Sequence, residues 1–558
     1  VKQSDLNTTR FEEGVGTMTR NMKRERFIGS KTSMLVLAVA GSLLFTACSS
    51  KSSPDAAEGT NGGGAAAKPV TLKVEVFDRG NSPAGSTITD NYWTKWVNEN
   101  FGTQSNIDVE YVPVPRSEEV EKLNVLMASG SNVPDIVFTY DPNTFNRYAK
   151  QGGLTDLGSL LDEYGPNLKA FLGDDVLNYG KFEGTQFAIP AKRSNTGKYA
   201  SFIRQDWLDK LGMPVPQTTD ELYDTLVAFK EKDPGQIGGQ VIPLGMTIAS
   251  AQYEPLLWSF VKTMSEEQKF TLTQQLGSND YPILLPGFKD GLQFMNKLYN
   301  EGLMNKDFGL DKDKKKLTED ISNGKIGFFT EDDVNIYYEN GTYALLQKNV
   351  PGAEIAAVDV FTNEEGKHAK PKYASNGLYI MIPKSSERAV EAIKYLDWMA
   401  SGDNLFQLQN GVENENYTLV EDIPVAAVNP TVEATNRMFN AGDMAIISNG
   451  KQLGSLEKNL KARAFQMPKA FQEQVAVAQD IANTDTIDLI LLDRPIEAQT
   501  KYATTLLDKF NEIIVKTTMA KPDQFDSIYE SMLKDYMSSG GQAILDERTA
   551  LYKEMKSK

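Results

Sequence analysis

Val70-Thr71-Leu72-Lys73-Val74-Glu75-Val76-Phe77 alternates apolar and polar side chains and is closed by Asp78-Arg79-Gly80-Asn81, so it reads as a strand that ends in a loop. Tyr92, Trp93, Trp96 and Val97 then recur at helical spacing. Alternation returns over 106–114, a helical stretch runs from Glu118 to Met127, and Pro134-Asp135-Ile136-Val137-Phe138-Thr139-Tyr140 is the short apolar run of a buried strand. Strand, helix, strand, helix, strand is the βαβ order of an α/β protein. It predicts a parallel sheet whose strands end on one rim, where Asp78 to Asn81 and Tyr140 to Pro142 border a crevice of the kind that takes ligands.

Working outward, helices are expected near Thr144 to Gly152 and Leu157 to Tyr164, and Phe187-Ala188-Ile189-Pro190 takes the chain out of this lobe. A second α/β set starts at Tyr199-Ala200-Ser201-Phe202-Ile203-Arg204, with helices at Asp206 to Leu211 and Thr219 to Phe229, the latter capped by Thr218 or Thr219. Apolar runs at Lys325 to Phe329 and Gly377 to Ile382 read as a return to the first lobe and a crossing back. The expected lobes are therefore 69–190 plus 325–375 and 191–324 plus 376–558. The end is mainly helical, Tyr502 to Lys516 and Asp523 to Met537, closed by Gly540-Gly541.

Upstream, Lys23, Arg24 and Arg26 precede the apolar run Met34 to Ala47 and then Cys48, the order of a secretory signal. The run is shorter than the about 20 apolar residues of a membrane span. Cys48 is the only cysteine in 558 residues, so no internal disulfide is possible. Leu44-Phe45-Thr46-Ala47-Cys48 resembles a bacterial lipobox, with Leu44 one step early and Phe45 in the usual leucine place, which makes Cys48 the expected lipidation site. Ser49 to Lys68 is a Ser-, Gly- and Ala-rich tether able to span on the order of 25 Å. Val1 to Thr17 is mixed and acidic, and translation is expected to start at Met18 or Met22, so that 1–47 holds the signal and an upstream extension.

The body beyond residue 68 is long enough for about two to four domains. A net charge of -17 argues against nucleic acid and against an anionic membrane surface, since phosphate recognition needs clustered Lys and Arg. The single histidine, His368, lies in a polar stretch; this disfavours Ser-His-Asp or Cys-His catalysis and any multi-histidine metal site.

A family resemblance rests on Pro134-Asp135-Ile136-Val137, Gly153-Leu154-Thr155-Asp156-Leu157, Arg204-Gln205-Asp206-Trp207-Leu208-Asp209-Lys210-Leu211-Gly212 with Pro216 and Thr218-Thr219-Asp220-Glu221-Leu222, Asn323-Gly324-Lys325-Ile326-Gly327, the tract Gly411 to Pro424, and Phe525-Asp526 with Gly540-Gly541-Gln542. In this order behind a lipobox, the chain resembles the family 1 extracellular solute-binding proteins of ABC importers, in the long lipoprotein branch that handles oligosaccharides. The resemblance implies a two-lobed periplasmic-binding-protein-like fold of type II, each lobe a sheet flanked by helices with the ligand cleft between. It further implies a monomer anchored through acylated (palmitoylated) Cys48 to the extracellular face of the cytoplasmic membrane of a Gram-positive bacterium, an oligosaccharide ligand, and ABC permease subunits as partners. Related proteins often carry a calcium-like loop after a Lys-Asp-Pro. Here Asp233-Pro234-Gly235-Gln236-Ile237-Gly238-Gly239 offers Asp233 as its only carboxylate, and Asp311-Lys312-Asp313-Lys314-Lys315 puts lysines in ligand places, so neither is expected to hold an ion; no metal or cofactor is expected.

Sugar rings stack C–H faces on aromatics and need paired donors and acceptors for their hydroxyls. Loops offering that mixture nominate Asp78, Arg79 and Asn81, Tyr140 and Asp141, Arg193, Tyr253, Trp258, Glu331, Asp332 and Asn376 as ligand contacts. Each also has an ordinary reading: Arg79 and Asp141 as surface charges, Trp258 as core. Trp207 and Trp398 are assigned to packing. The rival class is a secreted glycosidase or lyase using a carboxylate pair from Glu331, Asp332 and Asp333; another is a receptor that presents sugar to a sensor kinase. The order of lobes and the tether favour a binding protein without enzymatic activity.

Overall fold

Period-two patterning decides which faces of the strands are buried. The computed structural model describes residues 68–557 except 131, 277–278, 360, 363–365, 488–489 and 493; the signal, Cys48 and nearly all of the tether lie outside the described residues. The strands of the two main sheets are, in chain order, β1 (Val70–Asp78), β2 (Ile107–Pro115), β3 (Val137–Thr139), β4 (Ala188–Arg193), β5 (Tyr199–Arg204), β6 (Ile242–Leu244), β7 (Ile326–Asp332), β8 (Ile355–Val358), β9 (Asn376–Met381) and β10 (Ser448–Asn449).

In the first lobe β1 runs parallel to β2, from Val70 opposite Ile107 to Asp78 opposite Pro115. A bridge from Val74 to Ile136 joins β1 to the segment leading into β3, β3 is antiparallel to β9, β9 is antiparallel to β4, and β10 adds parallel to β4. The second sheet has the order β8-β5-β7-β6, antiparallel except for its last pair. Both sheets are thus mixed: the three segments from which the βαβ order predicted a parallel sheet do run parallel, and the antiparallel pairs come from later strands.

Side chains alternate between faces along each strand. On β9, Leu378 and Ile380 enter one core cluster with Leu72 and Val76, while Tyr379 and Met381 enter another with Phe145. In the second sheet Ile203 and Phe328 join the cluster beneath the C-terminal helices, and Phe202 and Phe329 the opposite one. The helices Glu497–Met519, Phe525–Tyr536 and Gln542–Ser557 cover that lobe through Phe510, Ile513, Tyr536 and Ile544. No helix among the described residues is long and apolar enough to cross a membrane.

The lobe boundaries differ from those expected. β7 pairs with β5 and β6, which puts 326–332 in the second lobe, and β9 pairs with β3 and β4, which puts 376–381 in the first. Ala188 to Pro190, expected to lead out of the first lobe, lies within β4. The chain leaves the first lobe after β4, returns before β9 and leaves again after β10, giving crossings near 194–198, 359–375 and 450–455. An apolar run identifies a buried strand without naming its partner, because burial looks alike in either sheet. Local signals hold closer: Thr218 caps the helix Thr219–Lys232, its hydroxyl accepting from the Glu221 N–H at 3.1 Å.

Candidate ligand cleft between the lobes

The three crossings are stitched to one another. The Arg193 N–H donates to the Ser375 carbonyl (2.8 Å), Ser194 N–H to Asn449 (2.9 Å) and Tyr373 N–H to Thr196 (2.8 Å), and the Asn459 amide reaches the Ser194 carbonyl at 3.0 Å. Gly450 has φ +93°, and a Cβ there would sit 2.1 Å from Ser194 Oγ, so only glycine lets the first and third crossings approach this closely.

Around this stitching lies a cavity of about 500 Å³ lined by Arg193, Asn195, Tyr373, Asn449 and Lys451 from the first lobe and crossings, and by Asp332, Tyr338, Asn459 and Arg463 of the second lobe. Its volume falls within the roughly 300–1,000 Å³ usual for small-molecule sites. The Arg193 guanidinium donates to the Ala374 carbonyl (3.0 Å) and Asn449 Oδ1 (3.1 Å) and lies 4.8 Å from the Tyr373 ring centroid; burial pushes its pKa below the ordinary arginine value. Asn449 Nδ2 donates to the Tyr140 hydroxyl at 3.2 Å, which brings the end of β3 to the rim. Tyr338 is 47 % exposed, a ring face free for stacking.

A second interlobe cavity of 160 Å³ is lined by Asn143, Asn146 and Tyr379 of the first lobe and by Trp258, Asp280, Gln499 and Arg548 of the second. It is closed by a Thr500 to Asn143 hydrogen bond of 3.3 Å and a Lys150–Glu497 ion pair. Behind it, buried Lys198 and Glu254 stand 3.9 Å apart and Lys198 donates to Asn279 at 3.0 Å. Burial raises Glu254 to about 7 and pushes Arg548 down to about 10. Lys198, through Asn279 and Glu254, anchors the first crossing to the second lobe.

The nominated residues fall into distinct groups. Arg193 and Asp332 line the larger cavity together, and Tyr140 touches it through Asn449. Asp78 accepts from the Gly80 N–H (2.8 Å), closing its own loop; Arg79 pairs with Asp443 at 2.7 Å; Asn81 is exposed. Asp141 caps the helix Pro142–Lys150, accepting from Asn143 and Thr144. Glu331 is held by Lys314 at 2.9 Å and by Gln252 at 3.2 Å. Trp258 is buried with Val261 and Leu285 and also borders the smaller cavity. Tyr253, 1 % exposed, packs near Phe510 in the second core, and Asn376 is buried at the start of β9; both lie inside the fold, because helix and strand geometry turns their side chains toward the core. The sequence reading did not single out Tyr373, Tyr338, Asn449, Lys451 or Arg463. Ile446-Ile447-Ser448-Asn449-Gly450 carried a signal, an apolar run ended by Asn-Gly.

The acids that could serve hydrolysis are occupied. Arg463 contacts Asp332 (3.4 Å) and Asp333 (2.5 Å), Lys314 holds Glu331, and Asp333 has no exposed surface. No group of three or more potential metal-ligating side chains occurs among the described residues. In the loop after Lys232, Asp233 accepts from the Ile237 and Gly238 N–H groups at 3.0 and 2.8 Å, so its carboxylate is already satisfied. Aromatic faces, amides and cations are equipment for holding a polar ligand.

Comparison with known proteins decides the family: residues 84–404, more than half of the chain, match the bacterial extracellular solute-binding proteins. The chain belongs to that family. This solute-binding protein is 24% identical over 462 residues to lipoprotein LipO of Bacillus subtilis, spanning 80% of this chain and 87% of LipO. It is 25% identical over 475 residues to the polygalacturonan/rhamnogalacturonan-binding protein YtcQ of Bacillus subtilis, spanning 81% of this chain and 87% of YtcQ. The fold is that of the Streptococcus pneumoniae ABC-transporter substrate-binding protein FusA solved with kestose, with a TM-score of 0.60 at 18% identity over 87% of this chain and 99% of FusA.

Proposed function

We propose that this solute-binding protein is the ligand-capturing lipoprotein of an ABC importer, that its ligand is an oligosaccharide held between the lobes, and that it delivers the ligand unaltered to a membrane permease. The observation that carries this reading is the larger cavity, which both lobes and all three crossings line and which combines the Tyr338 ring with the amides of Asn195, Asn449 and Asn459. Rings take the C–H faces of a sugar, and amides pair its hydroxyls. The named functions of YtcQ and FusA, both saccharide binding, support the same ligand class. The smaller cavity's 160 Å³ is below the volume that buries a drug-sized ligand, so the lobes part to admit a chain of sugars and shut on it. Contacts that both lobes make only when shut bias the protein toward the closed state, and the closed state is what the permease recognises. Cys48 carries the acyl anchor, and the segment after it holds the body off the membrane.

Titration of the soluble body with a broad oligosaccharide panel, by calorimetry and tryptophan fluorescence, tests the reading, with product analysis of the same mixtures. Saturable binding with intact sugar recovered is expected. Turnover of a sugar, or no binding across the panel, overturns it.

A further inference from the structure

The cations at the cleft divide into two kinds. Arg79, Arg116, Arg463 and Lys314 each have a carboxylate partner, in Asp443, Glu119, Asp332 with Asp333, and Glu331. Arg193 and Lys451 do not. Among the described residues Arg193 has only a carbonyl, an amide oxygen and the Tyr373 ring, and its Nη2 has no hydrogen-bond partner there. Lys451 Nζ donates to Asn410 Oδ1 at 2.9 Å and forms no ion pair there. Both side chains are partly buried and line the same interlobe cavity. A partly buried cation without a counter-charge is costly, and in a chain of net charge -17 carboxylates were abundant to neutralise it.

We infer that this cavity recognises a carboxylate-bearing sugar, a uronate unit of an acidic oligosaccharide, with Arg193 and Lys451 facing its carboxylate and Tyr373 fixing the guanidinium. The inference rests on the binding reading and narrows its ligand class. The stacking holds Arg193 while leaving Nη2 free, and an arginine fork matches a carboxylate better than a hydroxyl. A neutral sugar would leave both charges unneutralised when the lobes close over them. The relatives' names do not choose between the classes, since polygalacturonan is acidic and kestose is neutral; the unpaired cations do.

The test is a binding panel of neutral oligosaccharides beside galacturonate, glucuronate and mannuronate/guluronate oligomers, with the methyl ester of each acid that binds. An acid is expected to bind about 10- to 100-fold more tightly than its ester, the range of one charge-assisted contact, and added salt should weaken only the acid. Arg193→Gln and Lys451→Gln should each lower acid affinity more than ester affinity and so shrink the acid-to-ester ratio, and Arg193→Lys should restore part of that ratio; thermal melts confirm that the variants fold. Binding confined to neutral sugars, or equal affinity for acid and ester, overturns the inference and leaves the binding reading intact. Silence across the whole panel removes both.

Discussion

The Tyr373 ring contacts two cations at the start and end of the first crossing, its centroid 4.8 Å from the Arg193 guanidinium and 5.1 Å from the Lys198 ammonium. One side chain of the middle crossing therefore couples the cavity to the buried Lys198–Glu254 pair. Tyr373→Ala should lose about 1–2 kcal/mol of stability, two cation–π contacts in a partly desolvated setting, and weaken ligand binding. Tyr373→Phe keeps the ring and should retain most of both, as denaturant unfolding and calorimetry will show.

Gly450→Ala should destabilise by at least about 1 kcal/mol, because φ +93° is strained for any residue with a Cβ and Ser194 Oγ stands 2.1 Å away. Adding Ser194→Ala removes the clash but not the backbone strain, so the double variant should recover only part of the loss.

Burial raises Glu75 to about 8 and both Glu254 and Asp333 to about 7. Each carboxyl keeps its proton in the folded chain where the unfolded chain, at the ordinary carboxylate pKa, has released it. Stability from these groups is therefore present below about pH 4.5 and is lost as pH climbs to 7 or 8. Glu75→Gln keeps the acceptor for the Phe138 N–H, now at 2.9 Å, and should flatten that decline, with a gain of about 1 kcal/mol or more at pH 8. An unchanged slope of stability against pH in this variant would contradict the assignment.

The Lys150–Glu497 pair and the Thr500–Asn143 hydrogen bond link the lobes at an exposed edge. An exposed pair contributes at most about 1 kcal/mol, so Lys150→Glu should barely move the melting temperature. Replacing attraction by repulsion should still bias the lobes apart, seen as a larger radius of gyration in X-ray scattering and a several-fold weaker apparent affinity.

Millimolar calcium should leave the melting temperature unchanged, since the Asp233 loop presents one carboxylate, occupied by two backbone N–H groups, where calcium takes about six to eight oxygens. Asp233→Ala should destabilise the loop by about 1 kcal/mol through those unpaired amides.

The first strands and their loops were legible because alternation and turn residues are local. Asp141 shows a local signal passed over: nominated as a ligand contact or a surface charge, it caps a helix, and Asp-Pro-Asn-Thr is a helix start. The sheet that receives 377–382 was not legible, since six buried residues in a row say nothing of their neighbours. The cavity was legible only in part: Arg193 and Asp332 stood at strand ends, whereas Tyr373 and Lys451 come from separate crossings and Arg463 from a second-lobe helix, and their proximity exists only after long-range hydrogen-bonded joins. Tyr253 misled for the opposite reason, an aromatic near a helix start whose turn faces Phe510.

The first sheet is closed by β9 and β10, which the chain supplies after β8 of the other sheet. A ribosome adding about 5–20 residues per second leaves β4 without its first neighbour until Met381 has emerged and without its second until Asn449 has. The amino-terminal lobe thus waits on the carboxy-terminal half for its last strands, and a nascent chain truncated before β9 leaves both edges of β4 unpaired. Late completion keeps the leading part of the polypeptide threadable until those strands are made.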